Sequence, residues 1–389
     1  MRIIYHHRTL GDGAEGIHIR EMIAAFRSLG HDVQVVAPAG ENYPNDKEEV
    51  EDNKSRGVRL AAIKKMLPGF LFELCEIGYS LFSFFILSWK CLTFKPDFIY
   101  DRYITFNIGG ILAAKFTGTP HCLEVNAPLA LERSEQPDEK LYFRKMAFWF
   151  ESFVCSHATK TIVVSTPLKN YLVGQGVPED HIVVMPNGAN PDKFYPHPKN
   201  QELLFELGIP SDHIVIGFTG VLRAWHGIDL LLDAFSLVAK KHEKVFLLIV
   251  GDGPFRRELE RLINDYSLNS KVLITGRIVY AKVHEYVNLF DIAVSPKATF
   301  YASPMKVVEY MGLGKAIVVP DSPNFLDLVE KGKDGVIFGN KELPSLSDGL
   351  LSVIEKPQYS KFFSENSSQK VKKCLNWRWN ADRICSMVC

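Results

Sequence analysis

Apolar residues along this chain fall into two kinds of pattern. Short, nearly continuous apolar runs alternate with longer stretches in which apolar positions recur every third or fourth residue. The first kind predicts buried strands and the second amphipathic helices. Strands are expected at 2–5, 32–37, 98–101, 121–125, 161–165 and 182–185. A segment dense in Pro, Asn and Gly follows at 186–198 and reads as a domain junction. A second series of strands is then expected at 214–218, 245–250, 271–275, 292–295, 316–319 and 336–338. Between the first two strands lies a loop, 6–16, with Gly11, Gly13 and Gly16. A helix is expected over 17–29, where Ile19, Ile23, Phe26 and Leu29 share a face and Gly30 ends it. Two such alternating series imply an α/β protein of two layered domains. No short repeat or low-complexity segment interrupts them.

Two stretches depart from the alternation. Residues 40–59 are polar and read as a loop. Residues 67–94 are the most apolar part of the chain, but their longest uncharged run, 77–89, falls short of the ~20 residues that span a bilayer. A core helix is the favoured expectation for 67–94. A helix on a membrane surface is the alternative, with Lys54, Arg56, Arg59, Lys64 and Lys65 upstream to meet anionic headgroups.

Bulk composition narrows the function classes. With 389 residues and 47% hydrophobic positions, two ordinary cores are available and global disorder is excluded. Lys+Arg and Asp+Glu both number 45, which gives no electrostatic reason to expect a nucleic-acid partner. The 7 cysteines show no CxxC pair and no metal-ligand spacing, as suits a reducing cytosol, with Cys385 and Cys389 expected as free thiols. The amino terminus reads as a strand rather than a signal peptide.

The segment from Ser303 to Lys315, SPMKVVEYMGLGK, carries the clearest chemistry. Ser303 suits an N-cap, Pro304 the first helical position and Gly314 the stop. Met305, Lys306 and Val307 would then present backbone N–H groups at a helix start, an anion site. Glu309 lies about 7–8 Å further along the helix, a separation that suits a diphosphate at one end and a ribose diol at the other. GVLRAWHG places Gly220 after a strand, with Arg223 and His226 as phosphate contacts. LLIVGDGP places Gly251 and Gly253 after the next strand, and Gly276 and Arg277 follow another. In an open parallel sheet ligands bind beyond the carboxyl ends of the strands, so these turns would line one crevice.

These motifs resemble the donor-nucleotide half of retaining family-4 glycosyltransferases (group 1) with the GT-B fold. ITGRI, and in the first half SLGHDVQVV, IVVSTPLKNYL and VVMPNGANPDKFYP, extend the resemblance over nearly the whole chain. NWRWNADRI resembles the terminal helix that crosses back to the first domain. The resemblance implies two Rossmann-like domains facing across a cleft: 1–190 for the acceptor, 191–370 for the donor, and 371–389 as the returning helix. It implies a nucleoside diphosphate sugar as co-substrate (a UDP- or GDP-sugar), a saccharide or lipid-linked acceptor, and retention of configuration in polysaccharide or glycolipid assembly. Glu309 takes the place of the second Glu of the family's Glu-x7-Glu motif, and Arg223 would stabilise the leaving diphosphate. Gly16, His18, Glu124 and Asn126 are the implied acceptor contacts. The implied location is cytoplasmic, with peripheral membrane contact through 67–94.

Three departures from the family pattern stand out. The first Glu of the motif falls at Tyr301, so Tyr301, Ala302 and Ser303 must supply other contacts to the sugar. The usual basic pair falls at Val221 and His226. No Asp-x-Asp occurs, so activity without an essential metal or other cofactor is expected. The departures leave two alternatives: a nucleotide-sugar epimerase, and a non-catalytic sugar-nucleotide-binding subunit. A dinucleotide dehydrogenase is disfavoured, because the first glycine loop lacks GxGxxG spacing and Pro38, not an acidic residue, follows the second strand.

Overall fold

The computed structural model describes residues 1–9, 13–37, 67–135, 141–339 and 345–388. The chain divides into two units, Met1–Pro186 with Trp377–Cys389, and Asn187–Asn376. The first unit holds β1 (Arg2–His6), β2 (Asp32–Val36), β3 (Phe98–Arg102), β4 (His121–Val125), β5 (Lys160–Val163) and β6 (Ile182–Val184) in the order β2-β1-β3-β4-β5-β6. The second holds β7 (Ile214–Thr219), β8 (Val245–Val250), β9 (Val272–Ile274), β10 (Ile292–Val294), β11 (Ala316–Pro320) and β12 (Val336–Phe338) in the order β12-β11-β10-β7-β8-β9. Neighbouring strands pair in parallel throughout both sheets.

Parallel strands covered by helices on both faces read as near-continuous apolar runs. All six residues of β8, VFLLIV, are buried accordingly. Phe246, Leu248 and Val250 enter one core cluster and Val245, Leu247 and Ile249 the other, so the two clusters are the two faces of the second sheet. In each sheet the strand order reverses at one point: between β1 and β3 in the first unit, and between β7 and β10 in the second. Loops leave in opposite directions at such a point and open a crevice beyond the strand ends.

Several expectations need correction. The first helix begins at Gly13, not residue 17, so Gly13 and Gly16 lie within it rather than in a loop. The division falls at Pro186/Asn187 rather than after 190, because Asn187 is tied to the second unit: its N–H donates to Ser303 Oγ (3.0 Å) and its side chain to Ser303 O (2.8 Å). The return begins at Trp377 rather than 371, because the helix Pro357–Cys374 buries Phe363 and Val371 within the second unit. The helix Trp377–Val388 packs with the helix Gly13–Ser28 of the first unit, and Asn380 Nδ2 donates to Pro186 O (2.9 Å). The loop expected at 40–59 and the basic residues Lys54, Arg56, Arg59, Lys64 and Lys65 lie outside the described residues, as does Cys389.

The largest correction concerns 67–94. It forms the helix Gly69–Phe94, but it is not a core helix. Its buried positions are Glu73, Ser80, Ser83, Leu87, Ser88 and Cys91, mostly polar, whereas Leu81, Phe82, Phe85, Trp89 and Leu92 are each more than half exposed. Three of the inward polar groups bond to neighbouring segments of the same unit. Glu73 accepts the N–H groups of Tyr142 and Phe143 (both 2.8 Å), Ser80 Oγ donates to Phe106 O (2.6 Å), and Ser83 Oγ donates to Asn107 Oδ1 (2.8 Å).

Candidate donor site and a buried polar network

The second unit gathers its candidate residues beyond the ends of β7, β8 and β9. Gly220 (φ 140°) and Gly251 (φ 146°) occupy backbone conformations closed to L side chains. A Cβ on Gly251 would stand 2.0 Å from Gly220 O, and one on Gly253 2.4 Å from Leu222 O. Gly251 also bridges to Gly276. The loops are laced directly: Gly220 N–H donates to Val250 O (3.0 Å), Leu222 N–H to Asp252 O (2.9 Å) and Gly251 N–H to Thr275 Oγ1 (3.3 Å). These glycines therefore act by allowing close approach rather than by offering free donors. Arg277 is exposed beside them.

The helix start differs in detail from the expectation. The helix runs Met305–Gly312 and Pro304, not Ser303, is the N-cap. Ser303 Oγ instead accepts the Asn187 N–H. Val307 N–H donates to Pro304 O (2.9 Å), so the first-turn donors left by this bond are those of Met305 and Lys306. The loop before the helix is pinned from below: Asn324 Nδ2 donates to Ala302 O (2.8 Å) and Thr299 O (3.2 Å). Tyr301 packs edge-on against Phe300. Glu309 is buried and accepts the hydroxyl of Tyr280 at Oε1 (2.9 Å).

Three basic side chains, one of them neutral, lie near Gly220 in sequence or space. Arg223 is exposed, its guanidinium 4.7 Å over the Trp225 ring. His226 Nδ1 lies 2.7 Å from Val221 O; a carbonyl only accepts, so Nδ1 carries a proton. Burial, and then the positive charge of Lys306, lower the His226 pKa to about 4, leaving the ring neutral. Lys306 reaches back from the helix to place Nζ 4.1 Å over the Phe218 ring.

In the first unit, the sheet reversal between β1 and β3 holds a polar network. Asp101 is clamped between His6 (Nδ1, 2.7 Å) and His121 (Nε2, 3.1 Å). Burial would raise its pKa, but the two histidines outweigh this and hold it well below the usual carboxylate range. His7, also buried, is lowered to about 4 by burial, then by His6 and Arg102. Glu124 Oε1 lies 3.0 Å from His18 Nδ1 and accepts Arg102 Nη1 (3.2 Å) and Asn126 Nδ2 (2.6 Å). Burial opposes its ionisation, yet His18 and Arg102 hold its pKa at about 2. Glu124 is thus an internal anchor and not the open acceptor contact expected. His18 is likewise buried, edge-on to Trp377 at 4.8 Å, rather than on the helix surface.

Two family descriptions match the chain in succession. "Glycosyl transferase 4-like domain" matches residues 13–188, and "Glycosyl transferases group 1" matches residues 199–370. The chain belongs to the group 1 glycosyltransferases. It is a transferase with the two-domain GT-B fold. An uncharacterized glycosyltransferase of Methanocaldococcus jannaschii is 22% identical over 354 residues, covering 90% of this chain and 87% of that one. The alpha-monoglucosyldiacylglycerol synthase of Acholeplasma laidlawii is 25% identical over 198 residues, 50% of this chain and 49% of its own. Among solved structures, Anabaena HepE in complex with UDP superposes with a TM-score of 0.72 at 16% identity, over 100% of this chain and 99% of that one.

Sequence reasoning on this glycosyltransferase missed several groups. The Lys306 side chain was hidden behind its backbone role. Asn324, which helps fix the loop before the donor helix, carried no motif, and Asn187 stood inside VVMPNGANPDKFYP with no role of its own. The His6–Asp101–His121 clamp had one visible signal, two histidines closing the apolar run of β1.

Proposed function

We propose that this glycosyltransferase is a retaining enzyme that uses a nucleoside diphosphate sugar and acts on a saccharide or lipid-linked acceptor in polysaccharide or glycolipid assembly. The observation that carries the donor reading is the convergence at the β7/β10 reversal of the closely stacked glycines 220 and 251, the helix start at Met305, and Arg223, His226 and Lys306. In this reading the first-turn amides and Arg223 take the diphosphate, and Glu309 accepts the ribose hydroxyls in the direction now held by Tyr280. Gly276 and Arg277 flank the base, and Tyr301 with Ser303 stands on the sugar side. An acceptor hydroxyl oxygen bonds to the anomeric carbon, the bond to the diphosphate breaks with the electron pair going to the nucleoside diphosphate, and the hydroxyl proton passes to the departing diphosphate oxygen. Cations and helix amides suffice for that charge, so no divalent metal is required. UDP is the first nucleotide to try, given its presence in the HepE crystals. In the first unit, His18 and Asn126 stand on the acceptor side. The outward apolar face of the helix Gly69–Phe94 rests on a lipid surface.

The test is thermal shift against UDP, GDP, ADP, TDP and CMP, with Glu309→Ala alongside. One nucleoside diphosphate raises the melting temperature by mass action. Loss of the ribose hydrogen bonds weakens it about tenfold or more in the variant. With the corresponding donor, turnover persists after EDTA treatment and the product keeps the anomeric configuration by NMR. No shift with any nucleotide, or turnover abolished by EDTA and restored by manganese, counts against the reading.

A further inference from the structure

The Lys306 ammonium is buried: Nζ is shut off from solvent and, among the described residues, has no hydrogen-bond partner. This is not how the fold treats buried lysines generally: Lys315 Nζ, also buried, donates to Asn288 O (2.7 Å) and Asn288 Oδ1 (2.9 Å). Lys306 Nζ instead has the Phe218 ring on one side, and it stands 2.9 Å from where a Cβ would sit on Gly220. Gly220 has no Cβ, so the ammonium faces open backbone at the end of β7. The helix places Glu309 one turn further on, where its carboxylate already receives Tyr280. Desolvation draws the Lys306 pKa down to about 7, with Glu309 only partly restoring it. An unpaired buried cation is costly, and such a group persists where a ligand completes it.

The neighbourhood lacks the cations that the family pattern puts there. Position 221 is valine. Position 226 is a histidine that is neutral in this setting and whose Nδ1 is committed to Val221 O. We propose that Lys306 Nζ is the missing phosphate ligand: it enters from the donor helix, binds the diphosphate at the β7/β10 reversal, and carries the charge that grows there as the glycosidic bond breaks. This role rests on the donor reading above.

The experiment is calorimetric titration of the full chain with UDP and with GDP, each paired with its nucleoside, using wild type, Lys306→Met and Lys306→Arg. Lys306→Met loses about tenfold to a hundredfold in diphosphate affinity. It changes the nucleoside affinity little, and the ligand-free variant melts above wild type because an unpaired buried ammonium is gone. Val221→Arg or His226→Lys introduced into Lys306→Met restores diphosphate affinity. Equal diphosphate affinity in wild type and Lys306→Met overturns the proposal, as does an equal loss for nucleoside and diphosphate. Wild type that binds neither diphosphate overturns instead the donor reading beneath it.

Discussion

At the scale of single residues, the first unit stakes its stability on carboxylates that stay ionised in the interior. Glu124 and Asp101 sit among His6, His18, Arg102 and His121, and both have folded pKa values below their unfolded ones. For a carboxylate the sign is fixed: the stabilisation is present above the unfolded pKa, near 4.5 for Glu124, and is lost as pH falls through its folded value of about 2. Urea unfolding followed at pH 7, 5, 4 and 3 is therefore expected to show a falling midpoint below pH 5, with roughly 2 kcal/mol from Glu124 alone by pH 3. A midpoint flat between pH 5 and 3 would contradict this account of the network. Little of the network was legible in sequence. Glu124, Asn126 and His18 were visible as polar residues at a strand end and a helix start, but the pattern says nothing of partners such as Arg102, and it is the partners that turn Glu124 from a ligand into an anchor.

At the scale of elements, every strand was legible because burial on both faces leaves continuous apolar runs, and β4, β8 and β12 fall where the pattern puts them. The helix Gly69–Phe94 shows where that logic fails. Apolar content alone suggested the core, yet the four serine and glutamate side chains Glu73, Ser80, Ser83 and Ser88 face inward and the aromatic side faces out. The helix is long and apolar enough to cross a membrane, at about 39 Å, but its polar face is hydrogen-bonded to its own unit, which favours lying on a surface. The patch continues sideways: Phe84 meets Phe116 at 5.9 Å, and Phe116 is itself two-thirds exposed. Lys90 lies over Trp89 and Lys115 over Phe153, an aromatic surface with basic groups that suits anionic headgroups. Phe82→Glu with Phe85→Glu should leave the melting temperature within a few degrees, since both rings are exposed. It should abolish sedimentation with phosphatidylglycerol vesicles, since each buried ring is worth about 1.5–3 kcal/mol. Undiminished sedimentation of a folded double variant would remove this face from the lipid contact, and concentration-dependent dimerisation lost in the same variant would assign it to a second copy of the chain.

At the scale of the whole molecule, each unit repeats one device, a parallel sheet whose order reverses once, with chemistry collected at the reversal. The contents differ. At the β1/β3 reversal the buried carboxylates of Asp101 and Glu124 are paired with histidine and arginine side chains, whereas the β7/β10 reversal carries an ammonium without a hydrogen-bond partner among the described residues, first-turn amides and glycines stacked so closely that a methyl would not fit. Carboxylates already paired with cations would repel an anionic ligand, while a buried cation without a hydrogen-bond partner gains one from it. This asymmetry supports the proposed placing of the nucleotide at the second unit. Hydrogen–deuterium exchange with and without saturating UDP is therefore expected to slow amides after β7, after β8 and at Met305–Lys306. The strand-end amides of β1 and β3, at His6 and Asp101, should change little through direct contact. Protection confined to residues 1–186 would place the nucleotide at the other reversal, and the roles of Glu309, Arg223 and Lys306 would fall together.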